Sequence, residues 1–414
     1  MDKDTTKLAI REYLFPLNHP ILQKNIQEQG LDRYVKKLNC LTTTKLFVFA
    51  QLKQIRSYSN LSLQLSSNKK LQKVMNLSSI SKSQLSRKWR DLDSSFLEQV
   101  FKHMVQQVIS RFGKAKAGKM LEKLHLVDAS TIMLCLSKYQ WAPFSKHKGA
   151  VKLHLRFVHT QEVSYPDEVH LTDGKVADRK RMNELVSREL GCLNVFDRGY
   201  VDYKLFDEFC KDSVLFVTRL KHNAECKILE ERLLTSTSNI ERDATILLGG
   251  SNKKSAMERP VRLIECLDLK GERVRICTND FERSAEEIGE IYRRRWQIEL
   301  FFKWIKQHFH VKRFYGTSKN AVYNQLYTAL IAFCLGLLLQ NKVQHKGTLL
   351  EIVERMRLCW DGTIKQFIEI LFKPPSRTSR GRRKAIDVQD TFAQILSQVE
   401  AGQAEYWDEA TMDI

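Results

Sequence analysis

The chain has 414 residues, 43% hydrophobic and 28% charged, a balance that supports at least one large core and excludes wholesale disorder. A formal net charge of +20 and a pI near 9.5 call for a polyanionic partner, nucleic acid first and an acidic membrane surface second. Nine cysteines stand singly, with no Cys-x-x-Cys pair and no Cys/His cluster in the sequence, which argues against a zinc site or disulfide framework and for a reducing cytoplasm.

The charge is concentrated at the front. Residues 1–120 carry 22 Lys and Arg against 8 Asp and Glu, a net of +14, and the stretch 33–90 holds 13 bases and no acid. A solubilising surface mixes both signs, so this region reads as a phosphate-contacting module. Its periodicity is helical, as in residues 41–55 and 94–109. Between them, Ser78, Ser79, Ser81 and Ser83 offer caps leading into a short basic helix bearing Lys82, Arg87, Lys88 and Arg90. In a helix-turn-helix such a segment enters the major groove. Met1-Asp2-Lys3-Asp4 lacks the apolar stretch of a signal peptide.

Around Lys123 the period changes to that of strands. Residues 124–128 read as a short buried strand closed by Asp128, and 151–159 as a second strand after the turn Lys146-His147-Lys148-Gly149. A polar helix is expected near 179–187. Residues 192–197 form another strand, closed by Asp197, followed by Gly199, a helical stretch and a strand at 213–220. Strands, helices and terminal acids in this order indicate an α/β core. Residues 222–280 behave differently, with alternating pieces at 244–248, 261–267 and 273–278 that read as inserted antiparallel strands. A long helical region, 285–340, is interrupted near Gly316. Its apolar run 326–339, about 14 residues, is too short to span a bilayer and reads as a buried helix. Residues 374–384 form a basic, breaker-rich linker, followed by a final helix and an acidic tail.

Offsets of 3, 4 and 7 separate Tyr292, Arg295, Glu299 and Lys306. At about 100° per residue the four share an arc of roughly 60° on one rigid helix, with Glu299 about 10 Å along the axis from Tyr292 and from Lys306. On spacing alone this arc reads as a solvated face with an Arg/Glu pair at i and i+4. The adjacent apolar stripe of Ile291, Ile298, Phe301, Phe302, Ile305 and Phe309 moves it to the rim of a core, where it lines a cleft. Asp128, Asp197 and Glu299 then supply hard oxygen ligands from separate elements, of the kind that hold two divalent ions about 4 Å apart for attack on a phosphodiester. A lone Asp at a strand end is more often a turn or cap residue. Asp173, Asp178, Asp202 and Glu290 stand as competitors.

The run Tyr292, Arg295, Glu299, Lys306 resembles the Y-x2-R-x3-E-x6-K signature of bacterial insertion-sequence DD-E transposases. Asp197-Arg198-Gly199-Tyr200 is similar to the segment carrying their second aspartate, and Val127-Asp128-Ala129-Ser130-Thr131 to that carrying the first. The resemblance covers roughly residues 120–340. It implies a ribonuclease H-like catalytic core with an inserted antiparallel β subdomain, flanked by a helical N-terminal DNA-binding region and a helical C-terminal region. The corresponding division is 1–118, 119–345 with the insertion at about 222–280, and 346–414 with the basic linker 373–385. Asp128, Asp197 and Glu299 become the catalytic, metal-binding triad. Tyr292, Arg295 and Lys306 become contacts to the transposon end, joined by Lys82, Arg87, Lys88 and Arg90.

The implied activity is Mg²⁺-dependent cleavage and strand transfer using two ions, with Mn²⁺ as a substitute. The implied partners are the double-stranded transposon ends and target DNA, bound by a homodimer in the bacterial cytoplasm at the nucleoid, with no membrane association. The acids are separated by 69 and 102 residues, and the insertion accounts for the longer gap. Relatives of this shape use the insertion to shape a DNA hairpin, some stacking a flipped base on its Trp. No Trp occurs here between Arg219 and Arg295. A non-catalytic DNA-binding regulator derived from a transposase and a structure-specific nuclease are the alternative functions, and the intact triad favours the enzyme. No G-x4-G-K-[ST] loop points to a nucleotide cofactor.

Overall fold

An apolar helix with no polar face has to be enclosed by protein, and the helix here called α12 (Lys319–Lys342) is enclosed on all sides. In the computed structural model, which describes residues 7–112, 123–233, 239–249, 256–267 and 271–373, α12 is long and apolar enough to cross a membrane by composition. Its apolar span is nevertheless fully buried inside the protein. It packs against α3 (Cys40–Leu52), α6 (Lys82–Asp91), α7 (Ser94–Phe112) and α13 (Leu349–Cys359). Two of its buried polar side chains reach backbone groups: Asn324 Nδ2 donates to the carbonyls of Trp89 at 3.2 Å and Leu92 at 2.8 Å, while its Oδ1 has no partner among the described residues. Gln325 accepts from the Tyr315 N–H at 2.9 Å and donates to the Arg313 carbonyl at 2.8 Å.

The N-terminal helices start where short polar side chains can accept orphan backbone N–H groups. Asn39 caps α3, Ser57 caps α4 (Tyr58–Ser67) and Asn68 caps α5 (Lys69–Met75), while Ser81 and Gln84 form a reciprocal capping box on α6. Shorter pieces precede them, α1 (Ala9–Tyr13) and α2 (Pro20–Glu28). Stacking of Phe47 on Trp89, with ring centroids 3.6 Å apart, joins α3 to α6. At the other end of this unit α14 (Ile364–Leu371) meets α1. The Ala9 N–H donates to the Gly362 carbonyl at 2.9 Å and the Ile364 N–H to the Lys7 carbonyl at 2.8 Å. The chain divides into two units, Met1–Leu371 and Phe372–Ile414. Every element described belongs to the first; the basic linker, final helix and acidic tail expected from the sequence lie outside the described residues.

Among the described residues, nine strands form one mixed sheet in the order β3-β2-β1-β4-β5-β9-β8-β7-β6. The strands are β1 (Leu124–Cys135), β2 (Lys148–His159), β3 (Ser164–Asp173), β4 (Leu193–Phe196), β5 (Leu215–Arg219), β6 (Cys226–Glu231), β7 (Ile240–Leu248), β8 (Val261–Leu267) and β9 (Arg273–Thr278). Strands β1 to β3 form an antiparallel meander. Strands β4 and β5 run parallel to β1, and α9 (Tyr203–Lys211) makes the crossover between them. Alternate residues of the central strands feed two cores: Leu126, Val195 and Val217 face one, Val127, Phe196 and Phe216 the other. The second core is largely aromatic, with Phe206 and Phe216 stacked at 4.6 Å beneath α9.

Three differences from the sequence-based expectation arise from strand pairing. Strand β1 does not end at Asp128 but runs seven residues further, because its later half is held antiparallel by β2 after β4 has stopped. Strands β3 and β6 carry no clear alternation: β3 is an edge strand that absorbs Pro166 next to a register shift, and β6 is almost wholly exposed. The strands of 222–280 are antiparallel as expected. They do not form a separate sheet, since β9 pairs with β5 and continues the main one.

Replacing Asn324 with Leu strands two buried carbonyls and is expected to lower stability by about 2–4 kcal/mol. The check is a lower urea midpoint with an unchanged slope.

Candidate active site

The parallel pairs align three residues of adjacent strands. Val127 lies opposite Phe196, and Phe196 opposite Thr218, so Asp128, Asp197 and Arg219 follow one another across β1, β4 and β5 at the carboxyl ends of the last two. Ligands in open α/β sheets gather at such ends. Asp128 accepts the Ala129 N–H at 2.8 Å. Because β4 pairing stops at Val127, the flank of β1 beside Asp128 is open, which lets a carboxylate sit in mid-strand.

Glu299 reaches the same place from a helix. The long helix expected from Tyr292 to Lys306 is two pieces, α10 (Ala285–Arg293) and α11 (Trp296–His308), joined by a tighter turn at Arg294 and Arg295. There the Arg295 N–H bonds the Tyr292 carbonyl at 3.0 Å and the Ile298 N–H the Arg295 carbonyl at 3.2 Å, both three residues back. Helix α11 is wedged between sheet and core: the Phe301 ring lies 4.7 Å from Phe157 of β2 and 5.0 Å from Phe333 of α12. Ile298, Phe302 and Ile305 complete that buried stripe, and Glu299 is left at its rim.

Arg295 joins the parts. Its Nη2 is 2.7 Å from Glu299 Oε1 and its Nη1 is 3.6 Å from Asp128 Oδ2, with the side chain only 11% exposed. Burial pushes the Asp128 carboxyl up to about 7; Arg295 and the Ala129 N–H oppose the rise, while Glu299 and Asp197 add to it. The Glu299 carboxyl is also raised, by burial and then Asp197, against Arg295. Tyr292 is pushed up to about 12 by burial, with Arg295, Asp197 and Arg219 around it. The Tyr200 hydroxyl is buried with no hydrogen-bond partner among the described residues, and after burial itself the charges that raise its pKa most are Asp128, Asp178 and Asp197.

This donor set fits a hard divalent cation. It consists of carboxylate oxygens, and burial, followed by the neighbouring acids, raises the Asp128 and Glu299 carboxyls against one bridging guanidinium, so the site favours added positive charge. The triad is not drawn into a tight cage. Among the described residues the trio of ligand atoms within 4.8 Å of one another is His125, Glu189 and Cys192, a grouping that the scattered cysteines and histidines of the sequence argue against.

Residues 120–335 match the family model described as the transposase DDE domain, which is more than half of the chain. The chain belongs to the DDE-domain transposase family. It is similar to the probable transposase for insertion sequence element IS5377 of Geobacillus stearothermophilus, 32% identical over 240 residues, covering 57% of this chain and 62% of that one. The putative transposase y4zB of Sinorhizobium fredii is 32% identical over 219 residues, 51% of this chain and 59% of its own. The matches thus span about three fifths of these relatives' length. Among solved structures, a piggyBac transposase in a synaptic complex with hairpin DNA aligns over 91% of this chain and 84% of its own, at 10% identity and a TM-score of 0.45, a likeness too distant to assign fold or activity.

Within this transposase-family chain the competing acids have local roles. Asp202 caps α9, Asp173 accepts the Lys175 N–H in a turn, Asp178 pairs with Lys152 at 3.0 Å and Glu290 with Arg293 at 3.0 Å. The basic residues of α6 divide. Lys82, Arg87 and Arg90 are exposed, whereas Lys88 turns inward to Asp32 at 3.5 Å. Lys306 is half-buried on α11, two turns beyond Glu299. Sequence reasoning missed Arg219 and Tyr200. A base at the tip of the third parallel strand and the phenol of Asp197-Arg198-Gly199-Tyr200 were the available signals.

The folded state holds the Asp128 proton more tightly than the unfolded chain, so that contribution is fully present below the ordinary value of 3.8 and is lost as pH rises through about 7. Asp128→Asn is therefore expected to stabilise the metal-free protein by about 2 kcal/mol at pH 8, the gain fading toward pH 4. Thermal melts in chelator at several pH values check this, and a gain independent of pH would assign it to another cause.

Proposed function

We propose that this protein is a transposase that binds the terminal inverted repeats of an insertion sequence, cleaves the DNA there and joins the freed end to target DNA. The observation that carries the reading is the meeting of Asp128 and Glu299 at Arg295, beside Asp197 on the neighbouring strand. A ribonuclease H-like core is supported by the strand order β3-β2-β1-β4-β5, antiparallel in its first three members and parallel in the rest. On this reading residues 1–118 supply DNA binding, 119–345 catalysis, and 346–414 further contacts. The working form is a homodimer on two ends in the bacterial cytoplasm, at the nucleoid.

Asp128, Asp197 and Glu299 would hold two Mg²⁺ ions, or Mn²⁺ in their place, which when bound supply charge stabilisation and a nucleophilic water. The protein's own groups do the rest. Arg295 fixes the direction of Glu299 while neutralising part of the carboxylate charge, so that a phosphodiester can approach. Tyr292, with Arg219 beside it, and Lys306, seven residues beyond Glu299 on α11, would position the phosphates of the end. Hydrolysis breaks the P–O3′ bond and leaves a 3′ hydroxyl. Its oxygen then attacks a target phosphodiester, exchanging one P–O bond for another with no oxidant and no nucleotide cofactor.

Glu299→Ala is expected to abolish cleavage and strand transfer while end binding stays near wild type, measured on paired labelled end duplexes with Mg²⁺. Retained cleavage would remove Glu299 from the triad. Cleavage without joining by the wild type would make the protein a nuclease. Lys82→Ala combined with Arg87→Ala should weaken binding and flatten the dependence of log K on log salt by about 2, near one for each phosphate no longer neutralised. An unchanged slope would take α6 off the DNA.

A further inference from the structure

The amino-terminal starts of β1 and β4 carry a second group of ligand atoms apart from the carboxylate site. His125 is the second residue of β1, while Cys192 immediately precedes β4 and Glu189 stands in the turn before it. One ligand atom from each lies within 4.8 Å of the other two.

His125 is 1% exposed, and both of its ring nitrogens are buried without a hydrogen-bond partner among the described residues. A buried imidazole left unsatisfied at both nitrogens is costly and asks for a missing partner. Parallel pairing of Leu124 with Leu193 holds the starts of β1 and β4 side by side. The turn bearing the other two ligands is pinned: Asn194 accepts the Ser187 N–H at 2.8 Å and donates to the Ser187 carbonyl at 3.0 Å, and the Cys192 N–H bonds the Glu189 carbonyl at 3.2 Å. The ligands are thus arranged by backbone that does not depend on an ion. Glu189 is exposed and gives an ion a way in.

We propose that His125, Glu189 and Cys192 form a binding site for a borderline-soft divalent cation of the Zn²⁺ class, with water as its fourth ligand. Imidazole nitrogen, thiolate sulfur and one carboxylate oxygen is a donor set suited to tetrahedral Zn²⁺ and poorly suited to Mg²⁺ or Ca²⁺. Binding converts the Cys192 thiol to thiolate and releases its proton to solvent.

Two cations stand nearby. Lys123 Nζ lies 2.7 Å from Glu189 Oε2 in a largely exposed pair, which an incoming ion can replace at little cost. Arg156 is already occupied by Asp167 at 2.7 Å and the Leu185 carbonyl at 3.1 Å. The site is three residues up β1 from Asp128, about 10 Å along the strand, so the two sites would take different metals. Its ion would tie the turn 187–192 to the first strand of the sheet.

The test uses the full-length protein, stripped with chelator and titrated with Co²⁺ and then Zn²⁺ in excess Mg²⁺. Expected are one equivalent of Co²⁺ giving a thiolate charge-transfer band in the near ultraviolet, its displacement by Zn²⁺, and a rise in melting temperature. Cys192→Ser, close in size and judged folded by circular dichroism, should lose the band and bind Zn²⁺ at least about 100-fold more weakly. His125→Ala should weaken Zn²⁺ as much, whereas Asp128→Asn should leave the band and the affinity unchanged. Absence of the band in the wild type, its survival in Cys192→Ser, or its loss in Asp128→Asn would each overturn the site.

Discussion

Arg295 stands where three otherwise incompatible demands meet. Carboxylates that serve a cation have to be close together, yet closeness and partial burial both penalise their charge. A guanidinium reaching Asp128 on one side and Glu299 on the other answers this by bridging strand and helix with one rigid group. Its own charge survives because the loss from burial is outweighed by Glu299, Tyr292, Asp128 and Asp197. The turn at Arg294 and Arg295 serves the same end, since an unbroken helix would hold Tyr292 and Arg295 on a single rod.

The position of that guanidinium rests on packing far from it. Phe301 carries α11 against Phe157 and Phe333, so the sheet and α12 together set where Glu299 stands. The segment following α11 is tied to the N-terminal helices. Gln51 accepts the His310 N–H at 2.7 Å, and the Tyr315 hydroxyl donates to the Ile55 carbonyl. Arg357 of α13 donates to the carbonyls of Leu52, at 2.8 Å, and His308. The basic N-terminal region and the carboxylate helix are therefore parts of one packed body.

Legibility in the sequence followed the range of the interactions. Ser81 and Gln84 announce the start of α6 because a capping box is closed within four residues. The apolar run within α12 announces burial because no face of it can meet water. Asp197 was found at its strand end because β4 is short and bounded. Asp128 was misplaced within its strand: what ends beside it is a neighbour's pairing, and no local signal records that. Strand β6 has no buried face to impose a period of two, and β3 accommodates Pro166 only because it is an edge.

By itself the sequence determined the helical, basic front, the α/β order behind it, and the family through Tyr292, Arg295, Glu299, Lys306 and the two aspartate segments, because these are properties of residue type and short spacing. Only the tertiary structure decided that the Arg295–Glu299 pair faces Asp128 rather than water. It alone made one sheet of the core and the inserted strands, turned Lys88 inward, and gathered His125, Glu189 and Cys192. Each of these depends on which distant segments pair and which faces they bury, and such energies are summed over the whole fold rather than written in any one stretch of chain.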